Sequence, residues 1–310
     1  MSLQTDGLVW EACIVALTYS IITPARNEAD ALPRLAHALS RQSRLPARWV
    51  IVENGSTDET VAVAKTIVAE HQWARLLVLS QSAPRERGAP IVRSLHAGFD
   101  SLDVESDVVV NVDADVTMEP DYFERLLDAF EADRSLGIAS GSAWEESDGV
   151  WRQRFVTGGT VWGATRAYRW TCLQAVLPLE ERHGWDGIDQ LKARARGWKT
   201  RTFTDLPFRH HRPEGLHDGS TWAHWRANGD TAHYMGYRPW YLLARSLHRM
   251  RHDPAAFGLV YGYLSAAVRR SPRLQDPKAR SILRADQRPR NILRRRREAL
   301  GSANEPASGA

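Results

Sequence analysis

Asp113 and Asp115 stand one residue apart at the end of an apolar run, Val108-Val109-Val110-Asn111-Val112. Two carboxylates delivered off a buried strand cost free energy unless a cation or a set of donors satisfies them. Mg2+ or Mn2+ would do so, because these hard ions take oxygen ligands and bridge phosphate groups readily. A solvated turn ahead of a helix starting near Glu119-Pro120 is the plain alternative. The elements around the triplet decide between the two.

Those elements alternate. Tyr19-Ser20-Ile21-Ile22-Thr23 is β-branched and apolar and predicts a buried strand stopping at Pro24. A helical pattern follows through Leu32, Leu35, Ala36 and Leu39. Trp49-Val50-Ile51-Val52 predicts a second strand, ended by Asn54-Gly55-Ser56, and Thr57-Asp58-Glu59 supplies helix-start chemistry before Val61, Ala64 and Val68. Leu76–Leu79 and Asp107–Val112 fit a third and a fourth strand. Strands alternating with helices argue for a parallel α/β sheet, whose ligands sit beyond the carboxyl ends of the strands. Asp113 and Asp115 lie there, as do the polar residues after the first two strands. Further on, a Gly-rich segment spans Thr157 to Gly163, a helix is expected over Asp189–Arg196 with Gly197 as its stop, and Thr200–His211 reads as a strand.

Bulk composition is that of an ordered protein: 310 residues, 43% apolar and 25% charged. Cys13 and Cys172 allow at most one disulfide and have no CxxC spacing, which points to a reducing compartment without structural zinc. No signal-peptide pattern opens the sequence, and the apolar run Ala255–Val268 is short of the roughly 20 residues that span a bilayer. A cytoplasmic location is the expectation. Charge is divided unevenly: residues 238–300 hold 16 Lys+Arg against 4 Asp+Glu, whereas residues 1–237 hold 25 against 32.

Three segments carry a resemblance. Ser20-Ile21-Ile22-Thr23-Pro24-Ala25-Arg26-Asn27-Glu28, Val50-Ile51-Val52-Glu53-Asn54-Gly55-Ser56-Thr57-Asp58 and Asn111-Val112-Asp113-Ala114-Asp115 resemble, in order and spacing, the successive signatures of family 2 glycosyltransferases. The resemblance covers roughly residues 19–215. It implies a GT-A fold, meaning a Rossmann-like, mixed but mostly parallel sheet flanked by helices. It also implies a nucleotide-diphosphate-sugar donor, an acceptor hydroxyl and inversion at the anomeric carbon by a single displacement.

Site residues follow by position. The resemblance assigns Thr23, Pro24, Arg26 and Glu28 to the nucleotide pocket, with Asn54 beside them. Glu53 stands where the commoner residue is an Asp that contacts the base, usually uracil, so a UDP-sugar is expected. Arg93 falls near a nucleotide or phosphate contact, with Arg85 and Arg87 as neighbours able to do the same. Asp115 is the preferred direct ligand of Mn2+ or Mg2+, while Asp113 serves the ion, the ribose or a metal-bound water, with Ala114 between them. Gly163-Ala164-Thr165-Arg166-Ala167-Tyr168-Arg169 resembles a segment lying across the sugar and acceptor, with Thr165 in place of Asn. Asp186, eleven residues before Gly197, matches the catalytic base, although Trp185 replaces the usual Glu before it. Asp189 competes for that role and also suits a helix N-cap. His210 or His211 is expected as a further metal ligand; neighbours on a strand face opposite ways, so the choice stays open.

Four regions are expected: an N-terminal extension (1–18), a GT-A domain (19–215), a basic, aromatic-rich helical region (216–300) and a disordered tail (301–310). Trp222, Trp225, Tyr234, Tyr237, Trp240 and Tyr241 crowd the start of the third. They offer an acceptor platform or packing against the first domain. The pair Arg269-Arg270 and the run Arg294–Arg297 suit an anionic or lipid-linked acceptor or peripheral contact with an inner membrane face. Gln287-Arg288-Pro289-Arg290 lacks the Trp that would complete a polysaccharide-synthase signature, and polymer synthesis is not inferred. A sugar-phosphate nucleotidyltransferase would want a Gly-rich loop with a Lys after the first strand, where Pro24-Ala25-Arg26-Asn27-Glu28 has neither. Nucleic-acid binding through the arginines leaves the carboxylates unexplained, so no nucleic-acid partner is expected. A scaffold that has lost activity fits poorly with intact carboxylates.

Overall fold

The computed structural model describes residues 16–79, 89–154, 160–212 and 220–292. Strands β1 (Tyr19–Ala25), β2 (Arg48–Glu53), β3 (Ala74–Val78) and β4 (Val108–Val112) alternate with helices α1 (Leu32–Ser40), α2 (Thr60–Glu70) and α3 (Ala89–Asp100). All four strands are parallel, in the order β3-β2-β1-β4. The chain steps outward from β1 to β3 and then returns to the other side of β1. That reversal opens a crevice at the carboxyl ends of β1 and β4, where sheets of this kind hold ligands. β1 runs through Pro24 rather than stopping at it, because its pairing with β4 ends at Ile22 and no ladder on that side asks for the missing N–H.

The second half of the sheet is mixed. After β4 come β5 (Val116–Met118), α4 (Tyr122–Ala132), β6 (Leu136–Ser147), β7 (Val150–Gln153), β8 (Thr165–Arg169), α5 (Trp170–Val176), α6 (Trp185–Ala195) and β9 (Lys199–His210). β8 is antiparallel to β4 and to β6, β9 is parallel to β6, and β5 is antiparallel to β9. β7 pairs β6 as a hairpin. Although only residues 113–115 separate β4 from β5, four positions of the sheet order, β8-β6-β9-β5, lead from one to the other. The sheet must therefore curl, and Asp113–Asp115 bridges the curl.

Alternation along the strands builds two cores. One face packs Tyr19, Ile21, Trp49 and Ile51 against α1, α2 and α4 through Leu32, Leu35, Leu39, Ile67, Phe123 and Phe130. The other packs Ile22, Val52 and Val109 against α3, α5 and α6 through Leu95, Phe99, Leu173 and Trp185. Cys172 is a free, buried thiol there, its ionisation pushed up to about 12 by burial; Cys13 lies outside the described residues.

Helix α6 begins at Trp185, not at Asp189. Gly184 supplies its entry at φ 75°, and Gly197, at φ 92°, ends the turn after it as expected. Asp186 is thus in the first turn, and Asp189 lies mid-helix, so its N-cap reading is corrected. Beyond residue 219 the described chain is helical: α7 (Thr221–Met235), α8 (Pro239–Met250), a short 3-10 turn (Pro254–Phe257), α9 (Gly258–Val268) and α10 (Pro277–Asp286). Met235, Leu274, Ala279 and Leu283 pack on Ile188, Leu191 and Ala195 of α6, and Arg194 forms a two-pronged pair with Asp286. No helix among the described residues is long and apolar enough to cross a membrane. Arg85, Arg87, residues 157–159, Arg294–Arg297 and the tail lie outside the described residues.

Candidate active site

The curl fixes Asp113–Asp115 from both sides. Asp113 donates its backbone N–H to the Ala164 carbonyl (2.9 Å), just before β8, while His211 donates its N–H to the Asp115 carbonyl (2.9 Å), just after β9. Pairing of Val116 with His210 then brings the end of β9 against the triplet. His210 Nε2 lies 3.4 Å from Asp115 Oδ1 and His210 Nδ1 lies 3.4 Å from Glu145 Oε1 on β6. His211 faces the other way, its Nε2 2.8 Å from Thr117 Oγ1 and its ring edge-on to Trp151. Side-chain alternation on β9 thus brings one imidazole to the carboxylates and takes the other away.

One oxygen, nitrogen or carboxylate atom each from Asp113, Asp115 and His210 can be chosen so that all three lie within 4.8 Å of one another. Their charges are pulled apart. Burial and the neighbouring Asp115 push the Asp113 carboxyl up to about 6, against His210 and the Asn111 amide. Burial also acts on Asp115, but the His210 hydrogen bond and the charges of His210 and Arg212 prevail and hold it down at about 2. His210 is raised above its ordinary value: burial opposes its charge, and Asp115 outweighs burial. Two carboxylates with an imidazole form a donor set for Mn2+ or Mg2+, the nitrogen favouring Mn2+. Glu145 behind the second imidazole nitrogen is the support a metal-bound His requires. Asn111 adds a further feature, donating through Nδ2 to Asp113 Oδ1 (3.2 Å) and the Gly163 carbonyl (2.7 Å) while its buried Oδ1 has no partner.

Arg212 closes the group. Its Nε donates to Asp115 Oδ2 (2.8 Å), and its Nη2 donates to Glu28 Oε2 after β1. Around Glu28 the ends of β1 and β2 are stitched together. Asn54 donates its N–H to the Ala25 carbonyl (3.0 Å), and Asn27, at φ 58°, accepts the Thr57 N–H (2.8 Å). Glu53 is buried and accepts the Ser56 N–H. Asn54 Nδ2 donates to Ser94 Oγ (3.2 Å), leaving a buried Oδ1 with no partner. Pro24 and Arg26 are half-buried beside them. Thr23 turns inward, its hydroxyl accepting from Trp49 Nε1 (2.9 Å). Arg93, on α3, forms an ion pair with Glu181 (2.7 Å) rather than with any member of the cluster.

Asp186 and Asp189 stand in different surroundings. Asp186 Oδ2 lies 3.8 Å from where a Cβ on Gly163 would stand, so the glycine keeps space open between this half-buried carboxylate and the segment carrying Ala164. Asp189 is fully buried. Arg166 donates to both its oxygens (Nη2 to Oδ1 2.6 Å, Nε to Oδ2 3.0 Å), and Tyr168 donates its hydroxyl as well. Arg166 also donates to the Asp186 carbonyl (2.6 Å) and the Val161 carbonyl (2.7 Å). Burial pushes the Asp189 carboxyl up to about 6 against the pull of Arg166, and Arg166 stays firmly charged despite its burial because Asp189 faces it. The knot fixes the entry to α6 and, with it, Asp186.

Sequence reading assigned no role to Arg212, Glu145, Asn111 or Arg166. Arg212 directly follows the two histidines and Arg166 lies within a segment already singled out, so both had a local signal. Glu145 had none, being on a strand whose small residues, Ala139 to Ala143, hide it.

Comparison with known proteins accords with this geometry. A family model described as "Glycosyl transferase family 2" matches residues 20–180, just over half of the chain. The polyprenol monophosphomannose synthase of Mycolicibacterium smegmatis is 32% identical over 146 residues, and the match spans 46% of this chain and 46% of that relative, about half its length. Among solved structures, the mannosyltransferase PcManGT of Pyrobaculum calidifontis, in complex with GDP-Man and Mn2+, superposes with a TM-score of 0.56 at 15% identity, over 94% of this chain and 85% of that one. S. aureus TarS 1-349 in complex with UDP-GlcNAc gives 0.55 at 16% identity, over 94% and 93%. At such identities the likeness is one of fold, and the fold is the GT-A one.

Proposed function

The chain belongs to glycosyl transferase family 2, and we propose that it moves a sugar from a nucleotide-diphosphate donor to an acceptor hydroxyl by a single inverting displacement. The observation that carries this reading is the convergence of Asp113, Asp115 and His210 at the crevice between β1 and β4. Asp115 and His210 would hold the cation, and Asp113 would complete its surroundings or meet the ribose. A bound Mn2+ or Mg2+ supplies positive charge to the diphosphate as it leaves. The ends of β1 and β2, with Pro24, Arg26, Glu28, Glu53 and Asn54, receive the nucleotide, uracil being the expected base. The acceptor oxygen bonds to the anomeric carbon as the bond from that carbon to the diphosphate breaks, and the diphosphate departs with the electron pair. Asp186, open to the Gly163–Ala164 segment, accepts the hydroxyl proton. Asp189 is held in its ion pair and positions Asp186 through Arg166.

The polyprenol monophosphomannose synthase favours a second reading with a polyprenyl phosphate as acceptor, and the GDP-Man complex of PcManGT suggests a guanine nucleotide as its donor. A phosphate oxygen is already ionised and needs no base, so Asp186 separates the two. With UDP- and GDP-sugars offered in turn with Mn2+, thermal stabilisation is expected from one class and only with metal. Asp186→Asn is then expected to bind donor normally and to lose transfer to hydroxyl acceptors by about 100-fold or more. Normal transfer by Asp186→Asn to a phosphate acceptor would establish the second reading, and no response to any nucleotide would remove both.

A further inference from the structure

Helix α9 carries no charged residue from Gly258 to Val268. A helix apolar on every side belongs inside a protein or against another apolar phase. Its inner face is already closed. Leu259, Tyr263 and Ala266 are buried, and α9 meets α7 so closely that a Cβ on Gly262 would stand 2.1 Å from the Arg226 carbonyl oxygen. Its outer side shows Phe257, Tyr261, Leu264 and Val268, with exposures of 50%, 48%, 56% and 83%. Spacings of four, three and four residues put them in one stripe. Trp222 extends it, 5.6 Å from Tyr261 and 6.4 Å from Phe257. On α8 Trp240, Leu243 and Leu247 are exposed beside buried Leu242 and Ser246.

Charge identifies the occupant. Residues 238–292 hold 12 Lys+Arg against 3 Asp+Glu. Arg249 and Arg251 are exposed at the end of α8, and Arg270 and Arg273 after α9. Asp253, the acidic residue between these helices, is taken up by Trp225 Nε1 (2.6 Å) and the Ala255 N–H (2.9 Å). Two copies meeting through this face would bring like charge together. An apolar stripe with tryptophan and tyrosine among its members and arginine at its rim complements an anionic bilayer surface. We propose that α8, α9 and Trp222 form a surface that seats the protein on anionic lipid, with the stripe lying in the headgroup region. The surface stands independently of the reaction proposed above and adds to it. A cleft of about 500 Å3, lined by Glu181, Arg182, Trp222, Arg226, Asp230 and Arg269, runs from the segment leading into α6 to the edge of the stripe. An acceptor anchored in the same bilayer would approach through it.

The test is flotation of the full chain with phosphatidylcholine vesicles, with and without phosphatidylglycerol. The protein is expected to float with the anionic vesicles, and Phe257→Ser/Leu264→Ser/Val268→Ser to reduce the bound fraction by about tenfold with its circular-dichroism melt unchanged. Arg270→Glu/Arg273→Glu, which touches no packed side chain of the stripe, is expected to weaken binding to anionic vesicles only. Absence of flotation with anionic vesicles would overturn the proposal, as would flotation that both variants retain. So would a dimer in solution that the triple substitution converts to monomer, since a second copy would then cover the stripe. Mn2+-dependent donor binding, read on the same samples without vesicles, is expected to be equal in all of them. Its loss would count against the reaction and not against the surface.

Discussion

Two of the places where this molecule sets carboxylates against a cationic side chain do opposite things with them. Between β8 and the first half of α6, Arg166 and Asp189 are fully buried, and the guanidinium donates to Asp189, Asp186 and Val161 together. At the curl of the sheet, half-buried Asp113 and His210 meet buried Asp115, with His210 Nε2 3.4 Å from Asp115 Oδ1, one carboxyl pushed up to about 6 and the other held at about 2. The first arrangement leaves no capacity for a ligand and fixes a backbone. The second brings donor atoms of Asp113, Asp115 and His210 within 4.8 Å of one another, close enough to share one ion. Closed geometry marks the structural pair, and donor convergence with diverging protonation marks the pair we propose as functional.

Substitutions can break that contrast, and the largest effect is expected at the closed pair. Asp189→Asn strands a buried guanidinium and is expected to cost about 3–5 kcal/mol of stability in denaturant unfolding. A loss well under 1 kcal/mol would mean that the knot is not structural. Asp115→Ala is expected to leave the fold standing, with donor affinity in Mn2+ falling beyond the roughly 10–100-fold that loss of a mere supporting residue produces. Glu145→Gln keeps the shape behind His210 but removes its charge, so Mn2+ affinity is expected to fall by about tenfold. His211→Ala should leave Mn2+ affinity unchanged and cost at most about 1 kcal/mol of stability, the value of one half-exposed hydrogen bond to Thr117. A larger metal effect from His211→Ala than from His210→Ala would reverse the assignment of the two imidazoles.

Legibility in the sequence follows the same division. The parallel half announced itself because buried strands such as Val108–Val112 are rich in β-branched residues, and Leu32, Leu35, Ala36 and Leu39 are the buried positions of α1. The antiparallel half was largely hidden. From Ala139 to Ala143 β6 is made of Ala, Ser and Gly, small residues that let β9 and Tyr122 come close, and such a stretch has no hydrophobic period. The entry to α6 was placed four residues late because Gly184 starts the helix through its left-handed backbone, without a capping side chain. Asp113 and Asp115 were legible as a pair of carboxylates after a strand. Of the neighbours that come from the far side of the curl, His210 and Arg212 are marked by the histidine pair that ends β9, whereas Glu145 has no local signal.

The account rests on the three donor atoms at that curl holding one divalent ion. Electron paramagnetic resonance of Mn2+ titrated into the protein with nucleoside diphosphate present reads this directly, since the free-ion signal falls as the ion binds. One ion per chain is expected for the wild type, with binding lost in Asp115→Ala and strongly weakened in His210→Ala. Wild-type stoichiometry and affinity retained in Asp115→Ala would contradict the account.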